Sequence, residues 1–346
     1  MRLVDHWPTD TLAKLIGTGD APEEEAEHVD TLLLIGPAID AAHTSTNPPS
    51  VDAITHEGER IELSESHHPW PIIDQVAAAA ARPEPGETAW ATLSEAEALD
   101  PCYADDADSR TMIHQRRSAV AMDGRTGIQK DAFLRMMSRT VPAIRGGAVV
   151  PFAAFAWQPC VHLGVFVHRV ADLTPGVYLL CRSQRGEEQL RDAIERDFEW
   201  REIDGVASPG KLFLLQEADA TDAAATISCQ QRIAGDSAFS LGMLARFEPT
   251  LREQGPWMYP RLFWETGAIG QVLYLEAEAC GVRATGIGCF FDDLMHDVLG
   301  LRDRSFQSLY HFTIGGPVED DRLQTHPPYA HISRSTVSPP RAASRP

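Results

Sequence analysis

The chain has 346 residues, 43% hydrophobic and 23% charged, which is enough apolar material for a sizeable core. The length suits two domains, or one large domain with extensions. A formal net charge of −20 excludes a general nucleic-acid or anionic-membrane surface, because the whole-molecule field repels both.

The first segments are short. TDTLAKLIGTG predicts a helix closed by a glycine, and EEEAEHVDTLLLIGP an acidic linker running into a strand. One helix and one strand bury no core alone, so this piece either packs on the rest or is the end of a preceding domain. Residues 46–65 read as a linker or hairpin. A helix follows over about 70–82, ended by Pro83. The polar, acidic stretch up to residue 108 reads as an exposed connection.

The main domain is expected from residue 109. SRTMIHQRRSAVAM reads as helical, and KDAFLRMMSRTVP as a second helix stopped before Pro142. In CVHLGVFVHRV, Val161, Leu163, Val165 and Val167 alternate with other positions, the pattern of a half-buried strand. LTPG is a turn, and VYLLCRS and KLFLLQEA are the next strands. Residues 221–247 mix helix and strand. RLFWETGAIGQVLYLEAEACG is the most hydrophobic helix, closed by Gly281. DDLMHDVLGL is a short helix, LYHFTIGGPV a last strand, and ISRSTVSPPRAASRP a basic, Pro/Ser-rich tail read as disordered. Helices first, then strands with interleaved helices, predict an α+β fold. Its central sheet would be mainly antiparallel, flanked by helices, with one long buried helix.

Cys102, Cys160, Cys181, Cys229, Cys280 and Cys289 form no CxxC pair and fit no zinc spacing. They read as free thiols of a reducing compartment. The start, MRLVDHWPTD, has no basic region followed by an apolar one. No apolar run reaches the roughly 18 residues of a membrane helix. The expected location is therefore the cytoplasm, with no membrane and no nucleic-acid partner. GxSxG, HExxH, Walker and GxGxxG motifs are absent, against the common hydrolase, NTPase and Rossmann classes. Asp292, Asp293 and His296 read as carboxylates at a helix start rather than metal ligands, and His67 and His68 as surface or packing residues, so no metal is expected. Trp257 and Tyr259 read equally as an aromatic lid or a packed loop. Gly267, Ala268 and Gly270 make a small-residue patch, suited to core packing or to close approach of a second helix.

HQRRSAVAMDGRTG places Arg116, Arg117 and Ser118 side by side in an acidic chain. From the residues alone, this is either a solvated helix face or an anion site, since guanidinium forks and a hydroxyl suit phosphate oxygens. Followed by an apolar stretch and a helix, the segment resembles the N-terminal signature of the nitroreductase superfamily of FMN enzymes. The second basic position of that pattern falls on Val120. ATGIGCFFDDLMHDVLGL resembles the family segment in which a loop delivers backbone N–H groups to the flavin. TIGGPVEDDRL, with Arg322, resembles the family's C-terminal basic element.

The resemblance implies a nitroreductase-like fold. It implies FMN held by Arg116, Arg117, Ser118 and Arg322, with Gly288 and Cys289 beside flavin N5 and Gly286 as a further cofactor-binding residue. Leu173, Pro175, Gly176 and Tyr178 match a turn of the SagB-type branch, which includes azoline dehydrogenases of peptide maturation; the Lys-Tyr pair of those enzymes is replaced by Met112–Gln115. The implied organisation is a remnant of a preceding related domain over 1–75, an acidic connection over 76–108, the FMN domain over 109–330 and a tail over 331–346. The implied activity is hydride transfer through flavin N5 to or from a small-molecule or peptide substrate, with NAD(P)H as a candidate electron donor. The chain would work as a homodimer or with a related chain. The alternatives are an azoline dehydrogenase, or a non-catalytic or partner-dependent binding subunit of a biosynthetic complex.

Overall fold

The structure, a computed structural model, describes residues 2–4, 7–18, 27–34, 50–51, 54–56, 68–82, 109–144, 147–148, 150–155 and 157–326. Cys102, His67, most of the expected linker at 46–65, residues 83–108 of the acidic connection and the tail at 331–346 lie outside these residues.

In chain order the elements are β1 (Arg2–Val4), α1 (Thr9–Ile16), β2 (Leu32–Leu34), α2 (Pro71–Ala80), α3 (Ser109–Gln115) and α4 (Lys130–Arg139). A hairpin of β3 (Ala143–Ile144) and β4 (Gly147–Ala148) leads to β5 (Val161–Val167), β6 (Gly176–Cys181), α5 (Gln184–Ala193), β7 (Arg201–Ile203) and β8 (Lys211–Glu217). Then come α6 (Thr221–Ile227), α7 (Arg232–Asp236), β9 (Phe239–Arg246), α8 (Glu248–Gln254), α9 (Tyr259–Ala279), β10 (Arg283–Ile287), α10 (Asp292–Leu299) and β11 (Phe306–Gly315). Seven strands form one sheet in the order β10-β11-β9-β5-β6-β8-β7, every pair antiparallel. The expected α+β class with an antiparallel sheet is therefore observed.

Both faces of the sheet are covered. Val161, Leu163, Val165 and Val167 pack with Phe133 and Met137 of α4 and Leu262, Ile269 and Leu273 of α9. Phe166, Val177 and Leu179 face the other way, onto Leu190 of α5, Ile227 of α6 and Met295 and Leu299 of α10. This corrects the half-buried reading of β5, all seven of whose residues are buried. Its intervening positions, His162, Gly164 and Phe166, are buried as well because they meet a second layer of helices. Gly164 is one of them: a Cβ there would stand 2.6 Å from the Met295 methyl.

The helices follow their periodicity. α4 buries Phe133, Leu134, Met136 and Met137 at helical spacing. α9 runs for 21 residues and buries Leu262, Glu265, Ile269, Leu273 and Ala277. It presents its other face outward, with Phe263, Gly267 and Gln271 exposed, so the expected long buried helix is buried along one side. Gly270 supports the core-packing reading of the small-residue patch, since a Cβ there would lie 3.4 Å from the Phe312 ring, whereas one on Gly267 would meet nothing within 4 Å. A buried ion pair fixes α9: the Arg182 guanidinium bonds Glu265, and Glu265 also accepts from the Cys160 and Val161 N–H groups at 3.0 and 3.2 Å. Arg182 also donates to the carbonyls of Thr140 and Val161. The charges are thus paired and hydrogen-bonded, the condition for tolerating them inside.

The N-terminal piece packs on this domain. β1 and β2 pair antiparallel, and α1 ends at Gly17 with φ 81°, as the glycine predicted. The Arg82 N–H donates to the Thr9 hydroxyl at 2.8 Å, and the Trp264 ring N–H of α9 donates to Asp30 at 2.7 Å.

Candidate functional site

α3 stops at Gln115, where the Arg116 N–H makes a last helical bond to the Met112 carbonyl at 2.9 Å. The helix expected through residue 122 is therefore not formed. Arg116, Arg117 and Ser118 lie instead in an extended segment that adds to the sheet edge. Ser118 bridges Ala284 in parallel, the Ala119 N–H donates to the Ala284 carbonyl at 3.1 Å, and the Thr285 hydroxyl donates to the Ala119 carbonyl at 2.6 Å. Successive side chains in an extended segment point to opposite sides, so this geometry separates Arg117 from its two neighbours.

Tyr274 of α9, which sequence reasoning missed, joins three of the expected residues. Its hydroxyl lies 2.8 Å from the Ser118 hydroxyl and accepts from the Gly286 N–H at 3.0 Å. The Arg116 guanidinium sits 4.6 Å above its ring. Gly286 is a glycine for a local reason: a Cβ there would fall 2.0 Å from the Tyr310 hydroxyl. Nothing in the sequence marks Tyr274 except its place on the helix that faces β10 and β11.

The other expected residues are placed differently. Arg117 turns back, donating to the carbonyls of His114 and Arg116 at 3.0 and 2.7 Å. Past β11 the chain returns beside this segment, through the Asp123 N–H to the Gly316 carbonyl at 2.9 Å and the Val318 N–H to the Ala121 carbonyl at 2.9 Å. Arg322 lies in a turn beyond that return segment, yet its guanidinium forks onto Asp320 at 2.8 and 2.6 Å and is largely exposed. Arg116, Ser118 and Gly286 are brought together, while Arg117 and Arg322 bond elsewhere within the chain.

Gly288 and Cys289 form the exposed loop between β10 and α10. Among the described residues no acceptor takes either N–H, and a Cβ on Gly288 would meet nothing within 4 Å. The loop is tied down from one side. Cys289 is disulfide-bonded to Cys229 in the turn after α6, the Phe291 N–H donates to the Ile227 carbonyl at 2.7 Å, and the Gln231 amide donates to the Cys289 carbonyl at 3.2 Å. Cys229 and Gln230 both take left-handed backbone conformations, at φ 54° and 62°, to make that turn. The bridge corrects the expectation of free thiols throughout. Cys160, Cys181 and Cys280 form no disulfide; Cys229 and Cys289 are joined. Behind the loop, Phe290 stacks on His311 at 4.3 Å, and burial pushes the His311 pKa down to about 3.

Trp257 is buried with Trp157 and Met258, so the aromatic segment is a packed loop and not a lid. His296 accepts the Ser308 N–H and Asp292 accepts the Gln307 amide. Among the described residues no cluster of His, Cys, Asp and Glu could hold a metal, and no helix is long and apolar enough to cross a membrane.

No family model matches the sequence, and no curated protein matches it either. Solved structures do. A candidate nitroreductase from Anabaena variabilis superposes with a TM-score of 0.47 at 19% identity, over 61% of this chain and 38% of that one, so this chain spans little more than a third of that protein's length. The NADPH:FMN oxidoreductase of Vibrio harveyi, solved with NAD+, matches with a TM-score of 0.38 at 10% identity over 67% of this chain and 78% of that one. The E. coli microcin synthetase McbBCD complex with truncated pro-MccB17 matches with a TM-score of 0.43 at 13% identity over 75% and 85%. The neighbours are thus nitroreductase-family proteins, and at these scores the likeness assigns no activity, ligand or partner to this chain.

Proposed function

We propose that this chain is an FMN-dependent oxidoreductase with a nitroreductase-like fold, its flavin site at the edge formed by residues 116–119 and β10. The observation that carries the reading is the convergence of Arg116, Ser118 and Gly286 on the Tyr274 hydroxyl. These are residues that the sequence resemblance named from two separate segments of the chain. The donor set fits an anionic, ring-bearing cofactor in part: a guanidinium and a hydroxyl at one end, and two backbone N–H groups without internal acceptors at Gly288 and Cys289. Bound FMN would supply the redox chemistry, accepting or giving a hydride. The chain's own residues would bind and orient it. Arg116 and Ser118 would hold the phosphate end, and the Gly288 and Cys289 N–H groups would offer fixed donors to the ring. Arg117 and Arg322 would join only by leaving their present bonds.

NAD(P)H as electron donor and a small-molecule or peptide substrate are the accompanying proposals. A homodimer, or pairing with a related chain, would cover the exposed Phe263–Gly267–Gln271 side of α9, and gel filtration checks this. The cytoplasmic placement loses its cysteine basis, because Cys229 and Cys289 are joined.

One observation favours a second reading, a partner-dependent binding subunit: two of the three expected phosphate arginines are hydrogen-bonded within the chain. A visible absorption spectrum of the purified protein with added FMN separates the two. The enzyme reading expects a stoichiometric flavin complex that bleaches with NAD(P)H or substrate. It also expects Arg116→Ala to weaken FMN binding about tenfold or more, the loss of one charged hydrogen bond. A protein that takes up no FMN, or an Arg116→Ala variant that binds it undiminished, would remove the site assignment.

A further inference from the structure

A cavity of about 450 Å³ lies far from the proposed flavin site, between the N-terminal piece, α2 and the first turns of α9. Tyr259, Arg261 and Trp264 of α9 line it, ten to fifteen residues before Tyr274, or about 15–22 Å along the helix axis at 1.5 Å per residue. Its volume falls within the range of small-molecule sites.

The walls are unequal. On one side stand Ile72, Ile73 and Val76 of α2, exposed by 59%, 57% and 39%. α2 buries none of its ten residues, although its sequence, PIIDQVAAAA, is almost wholly apolar. A helix of this length has little stability of its own and normally forms by burying an apolar face. Across the cavity stand Trp7, Tyr259 and Trp264. Arg82 and Arg261 also line it, their guanidiniums 3.9 and 4.5 Å from the Trp257 ring centre, and Arg261 lies 4.8 Å from that of Trp264. A guanidinium held over an indole is a planar group that a flat ring can lie against. Hydrogen bonds hold the walls in register on both sides, from Arg82 to Thr9 and from Trp264 to Asp30.

We propose that this cavity is a second binding site, for a flat, apolar, ring-bearing small molecule lying between the aliphatic face of α2 and the aromatic face of α9. Concavity and size point to a small molecule over a partner helix, which with its side chains is about 10–12 Å across. The aromatic and guanidinium wall favours a ring over a flexible chain. The inference does not depend on the flavin reading.

The test uses the full chain and 2-naphthol as probe, by isothermal titration calorimetry, with and without excess FMN. The expected result is saturable one-to-one binding, unchanged by FMN and weakened about tenfold or more by Ala77→Trp, which fills the cavity from α2. Ile73→Asp, at a position too exposed to disturb folding, should weaken it similarly, with circular dichroism confirming that both variants are folded. Absence of saturable binding, equal binding by folded Ala77→Trp and Ile73→Asp, or displacement by FMN would each overturn the proposal. Binding of FMN elsewhere with no naphthol binding would sink this inference and leave the flavin reading standing.

Discussion

At the scale of single residues, Tyr274 organises the candidate site. Its hydroxyl contacts a side chain from the segment after α3 and a backbone N–H from β10, and its ring carries the Arg116 guanidinium. Tyr274→Phe keeps the ring and the stacking but strips the Ser118 hydroxyl and the Gly286 N–H of a partner. Each such bond is worth about 1 kcal/mol net, and more where a buried group is left unsatisfied. The expected outcome is a loss of about 1–3 kcal/mol in a urea melt, together with weaker FMN uptake. Unchanged stability and unchanged flavin binding would mean that the hydroxyl is a bystander. The contrast with Arg322 is instructive. The resemblance placed it at a phosphate, and a carboxylate two residues away holds it instead. An arginine's type is legible in a sequence, but its partner is decided by which acceptor the fold brings within reach.

At the scale of elements, the loop between β10 and α10 is fixed by its neighbour more than by itself. Three bonds bind it to the turn after α6: a disulfide, a backbone hydrogen bond and a side-chain hydrogen bond. The disulfide closes a sequence separation of 60, and a closure of that span contributes about 2–4 kcal/mol, mainly by restricting the unfolded chain. Cys229→Ser should therefore lower stability by about that amount under non-reducing conditions and leave stability in excess dithiothreitol equal to that of the reduced parent. Equal melts for variant and parent without reductant would show that the bridge contributes nothing. The sequence offered little warning of it: cysteines 60 apart without a CxxC pattern give no pairing signal, because the pairing depends on α6 and β10 meeting across one face of the sheet.

At the scale of the whole molecule, covering both faces of the sheet buries three histidines without charge. Burial pushes the pKa values of His162 and His311 down to about 3 and that of His168 to about 4. In the unfolded chain each returns to about 6.5. Between these limits the unfolded state binds protons that the folded state does not, so stability falls as pH falls. The contribution of the neutral histidines is complete above about pH 6.5 and declines from there toward pH 3–4. Asp123, Asp303 and Glu253, held low by hydrogen bonds, add a loss of the same sign below about pH 4. Denaturant melts at pH 7, 6 and 5 should show a steady decline of up to about 1.4 kcal/mol per pH unit for each histidine involved. A flat profile over that range would mean that these rings are not buried neutral.

The α+β class, most of the helices and strands of the main domain, and the glycine stops at Gly17 and Gly281 could be read from the sequence. Those are properties of periodicity and backbone freedom, which act over a few neighbouring residues. The family resemblance that the sequence carries also pointed to Arg116, Ser118 and Gly286. Only the tertiary structure decided that α3 ends at Gln115, because the residues after it gain more by bonding to β10 than by continuing the helix. Likewise, only the tertiary structure placed Tyr274 between two segments, gave Arg117 and Arg322 other partners, joined Cys229 to Cys289 and opened a cavity beside α2. Each of these depends on which surfaces meet across a seven-stranded sheet, and contacts between residues far apart in the chain leave no periodic trace in it.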